Sequence, residues 1–338
     1  MADALFWMDG YKASDAVESF DSLQPLSHPL NDTDFWAVVG SYEGEWQVVR
    51  FAQVESRDRV DIDSDSVNNQ SAKWASTLSH GQYRSYVDEI RQEIKNGWVY
   101  QVNACRLLES ESEIDLRSLF QRIQSHHPAP AAAYFKSENW EVASASPETF
   151  FRVDSSAQSR KITASPIKGT SRDGKFLEKD RAENVMIVDL MRNDISPLCE
   201  IGSVEVPRLL GVEEHPGLFH LVSDVQGTLK ESVSYADLLT RLCPAGSITG
   251  APKSSAREVI SRFEPYRGIY CGTVGWIYGG RAHFSVAIRT FFKDLRRSPS
   301  KTRFGTGAGI TWGSDAESEW SETELKAERL MKIASGLL

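Results

Sequence analysis

GIYCGTVGWIYGGRAHFSVAIRTFF, Gly268 to Phe292, sets aromatic and β-branched residues in two runs, GIYCGTVGWIYG and HFSVAIRTFF, that each read as a strand. The same composition marks VYQVNACRLLES (99–110), VASASPETFFRV (142–153) and RFGTGAGITWG (303–313) as strands. Nearer the N-terminus, FWAVVG and WQVVRF alternate with Asp, Asn and Ser clusters, the pattern of strands and hairpins. Helical periods lie between these runs. HGQYRSYVDEIRQEIKNG puts Tyr83, Val87, Ile90 and Ile94 on one face and ends at Asn-Gly, and helices are also read over 177–193, 235–243, 253–263 and 315–335. Together they predict an α+β fold, a large antiparallel or mixed sheet system with helices packed outside. The polar run DSDSVNNQSAK separates a strand-rich region, 1–78, from 79–338 within one compact unit.

With 338 residues, 41% of them hydrophobic and 25% charged, the chain can bury a substantial core. Its net charge of −9, with no basic block, argues against a nucleic-acid partner, which demands cations to displace phosphate counterions. The opening MADALFWMDGYK has neither a basic start nor a long apolar stretch, so a cytoplasmic protein with no membrane partner is expected. Cys105, Cys199, Cys243 and Cys271 are far apart and form no CxxC pair, which reads as reduced, mostly buried thiols.

Two acidic pairs recur at helical i,i+3 spacing: Asp180 with Glu183, and Glu319 with Glu322, the latter followed one turn on by Lys326. On spacing alone each pair is an exposed acidic face. If the two helices converge, carboxylates with retained waters suit Mg²⁺. CPAGSITGAPKSSA looks like a nucleotide loop, but Ala251 and Pro252 interrupt the G-x4-G-K-[ST] spacing and Pro252 has no N–H to offer phosphate. Its glycines and the Thr249 hydroxyl could instead face an anionic group. Gly305, Gly307 and Gly309 could act likewise or serve only crowded strand packing. Arg289, placed in an apolar strand, needs either a buried salt bridge or a ligand carboxylate.

In order, SPETFF, PIKGT, AENVMIVDLMRND, HLVSDVQGTL, GSITGAPKSSAREVI, VAIRTF, GTGAGI and SEWSETELKA resemble the chorismate-utilising enzymes, over about residues 80 to 332. These are the large subunits of anthranilate and aminodeoxychorismate synthases, with isochorismate and salicylate synthases as relatives. The resemblance implies two facing antiparallel β-sheets with helices packed outside and the site between them. It implies Mg²⁺ held by Glu183 and Glu322, with Asp180, where the family usually has glutamate, and Glu319 acting directly or through water. Substrate carboxylates would meet Arg289, Gly307, Gly309, Thr249 and Lys326. Trp276 stands where the resemblance expects a tyrosine on the ring carboxylate.

Within that resemblance PIKGT, with Gly169 and Thr170 after Lys168, is similar to the aminodeoxychorismate branch, where the lysine is the covalent nucleophile; anthranilate synthases look like PIAGT. An amine attacks only when unprotonated, and Arg172 or Lys161 could favour that state. Glu148 would be the general acid for the departing C4 hydroxyl and His220 would help proton transfer. Gln101 replaces the lysine base of the water-adding branch, and an amide cannot take that proton. No G-x-C-x-G glutaminase motif occurs, so the ammonia would come from a separate glutamine amidotransferase subunit. The rival readings are an anthranilate synthase large component and a noncatalytic chorismate-binding homologue.

Overall fold

The structure, a computed structural model, describes residues 3–56, 73–156, 159–171, 173–215, 218–264 and 266–338, and only the backbone of 170, 179, 215 and 218. Arg172 and most of the polar boundary run, whose first ten residues are 63–72, lie outside the described residues. Eighteen strands and six α-helices follow in chain order. They are β1 (Leu5–Met8), β2 (Tyr11–Phe20), β3 (Phe35–Gly40), β4 (Trp46–Ser56), β5 (Trp74–Ser76), α1 (His80–Lys95), β6 (Gln101–Ser110), α2 (Leu116–His126), β7 (Ala133–Lys136), β8 (Trp140–Ser144), β9 (Thr149–Ser155), β10 (Arg160–Ala164), β11 (Ile167–Ser171) and α3 (Glu178–Ile195). After them come β12 (Glu205–His215), β13 (Leu218–Thr228), α4 (Tyr235–Leu242), β14 (Gly250–Ala251), α5 (Lys253–Phe263), β15 (Thr273–Tyr278), β16 (Arg281–Val286), β17 (Thr290–Asp294), β18 (Arg303–Ile310) and α6 (Ala316–Ala334).

Every strand pairing is antiparallel. One half of the ladder runs β5–β6–β18–β17–β8–β7–β1, and β1 also pairs with β2. From there the second half continues β4–β3–β15–β16–β9–β10–β13, with β11 and β12 on β13. The two expected sheets are therefore halves of a continuous ladder. They share one apolar core, to which the first half gives Phe135 and Val142 and the second Val38, Phe151 and Phe284. Removing such side chains from water is the main favourable term for a fold of this kind. Strands of region 1–78 pair with later ones, β1 with β7 and β3 with β15.

The helices begin where the sequence supplies caps. Ser79 accepts from the Gln82 amide while the Gln82 side chain accepts from the Ser79 amide, and α1 then buries Tyr83, Tyr86, Val87 and Ile90. Asp315 caps α6 through the Ser318 amide at 3.0 Å. α2, absent from the sequence reading, buries Leu116, Leu119, Phe120 and Ile123 behind the Asp115 cap and shares a second core with α6.

Three strand readings need correction. Residues 142–153 split at Ala145–Glu148, 268–279 become extended only at Thr273, and 283–292 split at Ala287–Arg289. At the last two the backbone turns left-handed, φ +64° at Cys271 and +51° at Arg289, a conformation outside the strand region that the side-chain composition does not reveal. Arg289 thus stands at a break and not within a strand.

Candidate active site

Lys168 sits on β11 where the pairing with β13 slips by one residue between Ile167 and Thr170. Gly169 in that slip has φ +86°, a bulge geometry that re-aims the neighbouring side chain. The bulge answers why the lysine precedes glycine: it turns the amine out of the ladder. A Cβ on Gly169 would lie 3.1 Å from Asp180 Cβ and 3.2 Å from Phe176, so only glycine lets β11 lie this close to the start of α3.

The Lys168 Nζ donates to the Ser247 carbonyl at 3.0 Å and stands 3.4 Å from Glu183 Oε1. It points inward, with the side chain 17% exposed. The same Glu183 oxygen accepts from Gln101 Nε2 at 3.0 Å. Gln101 is buried and its Oε1 has no hydrogen-bond partner among the described residues. Gly309 faces this group: a Cβ there would come within 2.5 Å of Gln101 Nε2 and 3.8 Å of Glu183 Oε1.

Glu148, 6% exposed, follows the break after β8 and receives the Ser247 hydroxyl at 3.1 Å. Burial pushes its carboxyl up from the ordinary value, against the opposing pull of the Lys168 charge and the Ser247 hydrogen bond. A carboxyl held this way keeps its proton to higher pH, which a general acid requires. His220 is buried on β13, its backbone opposite Thr170 on β11 and Glu213 on β12. The Thr170 side chain lies outside the described residues. Lys161 is exposed on β10.

Segments 145–148 and 286–289 lie side by side: Ala145 N donates to the Arg289 carbonyl at 3.0 Å, and Val286 N to the Glu148 carbonyl at 3.1 Å. Burial lowers the Arg289 pKa, and among the described residues no carboxylate pairs with its guanidinium. Burial, with the Arg289 and Arg329 charges, takes nearby His127 down to about 4.

Lys326 on α6 donates to the Gly307 carbonyl at 3.0 Å and pairs with Glu322 at 2.6 Å. Thr249 is fully buried and its hydroxyl donates to the Ala245 carbonyl at 2.8 Å, so it pins its own turn. Lys253, the apparent phosphate-loop lysine, is tied to Asp194 on α3 at 3.0 Å and to the Leu242 carbonyl at the end of α4. Gly250 serves close packing, since a Cβ there would strike the Gln101 carbonyl.

Among the described residues no three acidic, histidine or cysteine side chains stand together as a ready-made metal site. Glu183 is balanced by Lys168, Glu322 by Lys326, and Asp180 Oδ2 caps the Leu177 amide at 3.0 Å; Glu319 lies in the first turn of α6. The donor chemistry, carboxylate oxygen throughout, fits Mg²⁺. Glu183 comes near Gly309, while the Lys326 that pairs with Glu322 reaches Gly307, two residues away on β18.

Trp276 lies away from this group, packed in the core against Phe35 and Tyr11, its buried Nε1 without a hydrogen-bond partner among the described residues. The tyrosine that reaches the glycine strand is Tyr270, whose Oη would be 3.0 Å from a Cβ on Gly307. Sequence reasoning missed both Tyr270 and Ser247. Neither carries a signal in the sequence: tertiary packing decides which ring of GIYCGTVGWIYG faces the glycines of β18, and a backbone carbonyl contact such as that of Ser247 has no side-chain signature.

A buried carboxyl linked to an inward amine, with a guanidinium on the adjoining segment that has no carboxylate partner among the described residues, is the equipment of an enzyme for small anionic molecules. The chain belongs to the family of chorismate binding enzymes, which matches residues 40–332. It is 32% identical to anthranilate synthase component 1 of Saccharolobus solfataricus, over 98% of this chain and 80% of that protein. It is 36% identical to aminodeoxychorismate synthase component 1 of Escherichia coli over 78% of this chain, and that match spans 59% of the relative's length. The fold is shared with anthranilate synthase component I from Streptococcus pneumoniae (TM-score 0.81, 20% identity, 98% of this chain and 93% of that one). It is also shared with MenF, the menaquinone-specific isochorismate synthase of Escherichia coli (TM-score 0.79, 17% identity, 98% and 88%).

Proposed function

We propose that the protein is the chorismate-aminating component of an aminodeoxychorismate synthase, converting chorismate and ammonia to 4-amino-4-deoxychorismate through an adduct on Lys168. The observation that carries this reading is the Lys168 amine held through Ser247 to the buried Glu148 carboxyl. The Lys168 ammonium gives its proton to the Glu183 carboxylate beside it and the freed amine bonds to C2 of chorismate; the C1=C2 and C5=C6 pairs move to C1=C6 and C4=C5. The C4–O bond breaks as Glu148 gives its proton, and the hydroxyl leaves as water. Ammonia then bonds to C4, the pairs return, the C2–N bond breaks to restore the amine, and the Glu148 carboxylate takes the surplus ammonia proton. Two displacements replace one difficult substitution.

Arg289, with backbone groups at Gly307 and Gly309 and the Lys326 ammonium, binds the two substrate carboxylates. His220 assists proton transfer, and Gln101 leaves the site without a base for water. Mg²⁺, held by Glu183 and Glu322 with Asp180 and Glu319, would supply charge for the ring carboxylate. Ammonia comes from a separate glutaminase, a reading supported by relatives named as component 1.

The test is mass spectrometry of the product from chorismate, Mg²⁺ and an ammonium salt, for wild type and Lys168→Ala. Wild type should yield 4-amino-4-deoxychorismate and Lys168→Ala should not; retention of the product by Lys168→Ala removes the covalent role. A second reading, anthranilate synthase large component, is favoured by the archaeal relative matched over nearly the whole chain. It predicts an ortho-amino aromatic product instead.

A further inference from the structure

We propose that Ser247 is a positioning residue of this reaction, fixing the amine of Lys168 against the carboxyl of Glu148 so that attack and departure are aimed at one ring together. The inference rests on the amination reading above. Ser247 touches both groups through different atoms. Its main-chain carbonyl accepts from Lys168 Nζ at 3.0 Å and its hydroxyl donates to Glu148 Oε1 at 3.1 Å.

The turn that carries it, Gly246–Ile248, is held from several sides. Thr249 N donates to the Gly246 carbonyl at 3.2 Å and Thr249 Oγ1 to the Ala245 carbonyl at 2.8 Å. Asn103 N, on β6, donates to the Thr249 carbonyl at 3.0 Å, and Arg267 Nη1 to the Ile248 carbonyl at 3.4 Å. Gly246 lies flat on Leu190 of α3, where a Cβ would collide, and α3 also carries Glu183. The turn therefore takes its position from β6 and from the helix that holds the partner of Lys168. A residue fixed this way transmits a set spacing to the two groups it touches.

The contacts separate on mutation. Ser247→Ala removes the hydroxyl and keeps the carbonyl, so Lys168 stays anchored while Glu148 loses its one side-chain partner on this turn. Ser247→Thr keeps a hydroxyl in the same place. The experiment measures chorismate consumption with ammonium salt, and adduct formation by intact mass without ammonia, for wild type, Lys168→Ala, Ser247→Ala and Ser247→Thr. Urea midpoints are taken alongside.

Ser247→Ala is expected to lower kcat and the rate of adduct formation about 10- to 100-fold with KM for chorismate within about threefold, and Ser247→Thr to recover most of the loss. Wild-type kcat in Ser247→Ala overturns the proposal. So does a loss that appears equally in KM, tracks a fallen urea midpoint or is not recovered by threonine, each of which marks a merely structural role. If Lys168→Ala is inactive and Ser247→Ala is not, positioning alone fails. If Lys168→Ala keeps full turnover, the covalent role of Lys168 fails and this inference with it; if the wild-type product is not 4-amino-4-deoxychorismate, the amination reading fails first.

Discussion

The Nζ of Lys168 lies 3.4 Å from Oε1 of Glu183, and that oxygen also accepts from Gln101, so one carboxylate orders two side chains from β11 and β6. Glu183→Gln keeps the shape and an acceptor but removes the charge that balances the lysine. Turnover of chorismate with ammonium salt is expected to fall about 100-fold or more, with the urea midpoint little changed, because Glu183 is partly exposed and its pair adds little stability. Steady-state kinetics at saturating Mg²⁺ checks this; activity within threefold of wild type would contradict the arrangement.

Arg289 carries two costs, a left-handed backbone at φ +51° and a buried guanidinium with no carboxylate partner among the described residues. Residues held so are retained where function over-determines them. Arg289→Gly relieves both. It is expected to raise stability by about 1 kcal/mol while KM for chorismate rises at least about tenfold. Urea unfolding and a substrate titration on the same preparation decide it: lower stability with unchanged KM would make Arg289 a structural residue.

Arg267 and Glu264 form a buried pair behind the turn that carries Ser247, whose Ile248 carbonyl Arg267 also reaches. Arg267 is 1% exposed and bonds Glu264 through Nε at 2.6 Å and Nη2 at 2.8 Å, and it also lies over the Tyr42 ring. Glu264 in turn accepts from Tyr86 Oη at 2.8 Å and Cys105 N at 2.9 Å. Glu264→Ala leaves an uncompensated guanidinium in the core, so a loss of about 3–5 kcal/mol in urea unfolding is expected. Adding Arg267→Met to Glu264→Ala should recover part of it; a double-variant loss equal to the sum of the two single-variant losses would show the pair to be uncoupled.

Much of this is legible in the residues themselves, and the divide is physical. The helices α1, α3, α4, α5 and α6 lie within a few residues of their sequence readings, because caps and 3.6-residue periods are local properties. That Lys168 and Glu183 meet is legible only through the motif resemblance, since nothing in the spacing of β11 and α3 brings them together. Arg289 reads as strand in the sequence because its neighbours favour strand, while it adopts left-handed backbone where its carbonyl accepts from Ala145 N across from it. Trp276 and Tyr270 are confused because both lie in one aromatic run, and only tertiary packing decides which ring faces the glycines of β18.

Glu148 gives the last prediction. Burial raises its folded pKa above the unfolded value. Below the unfolded value both states are protonated and the group contributes nothing to pH dependence. As pH climbs toward the folded pKa the unfolded chain sheds its proton first, so folding stability declines through that window and then levels off. The amide that Glu148→Gln introduces has no charge to bury. The stability of Glu148→Gln relative to wild type should therefore be near zero at pH 4 and clearly positive at pH 8, read from urea unfolding at both. The amide also has no acidic proton for a departing hydroxyl, so turnover should fall about 10²- to 10⁴-fold over the same range. A pH-independent stability difference would mean the carboxyl is solvated in solution, and then it could not serve as the acid.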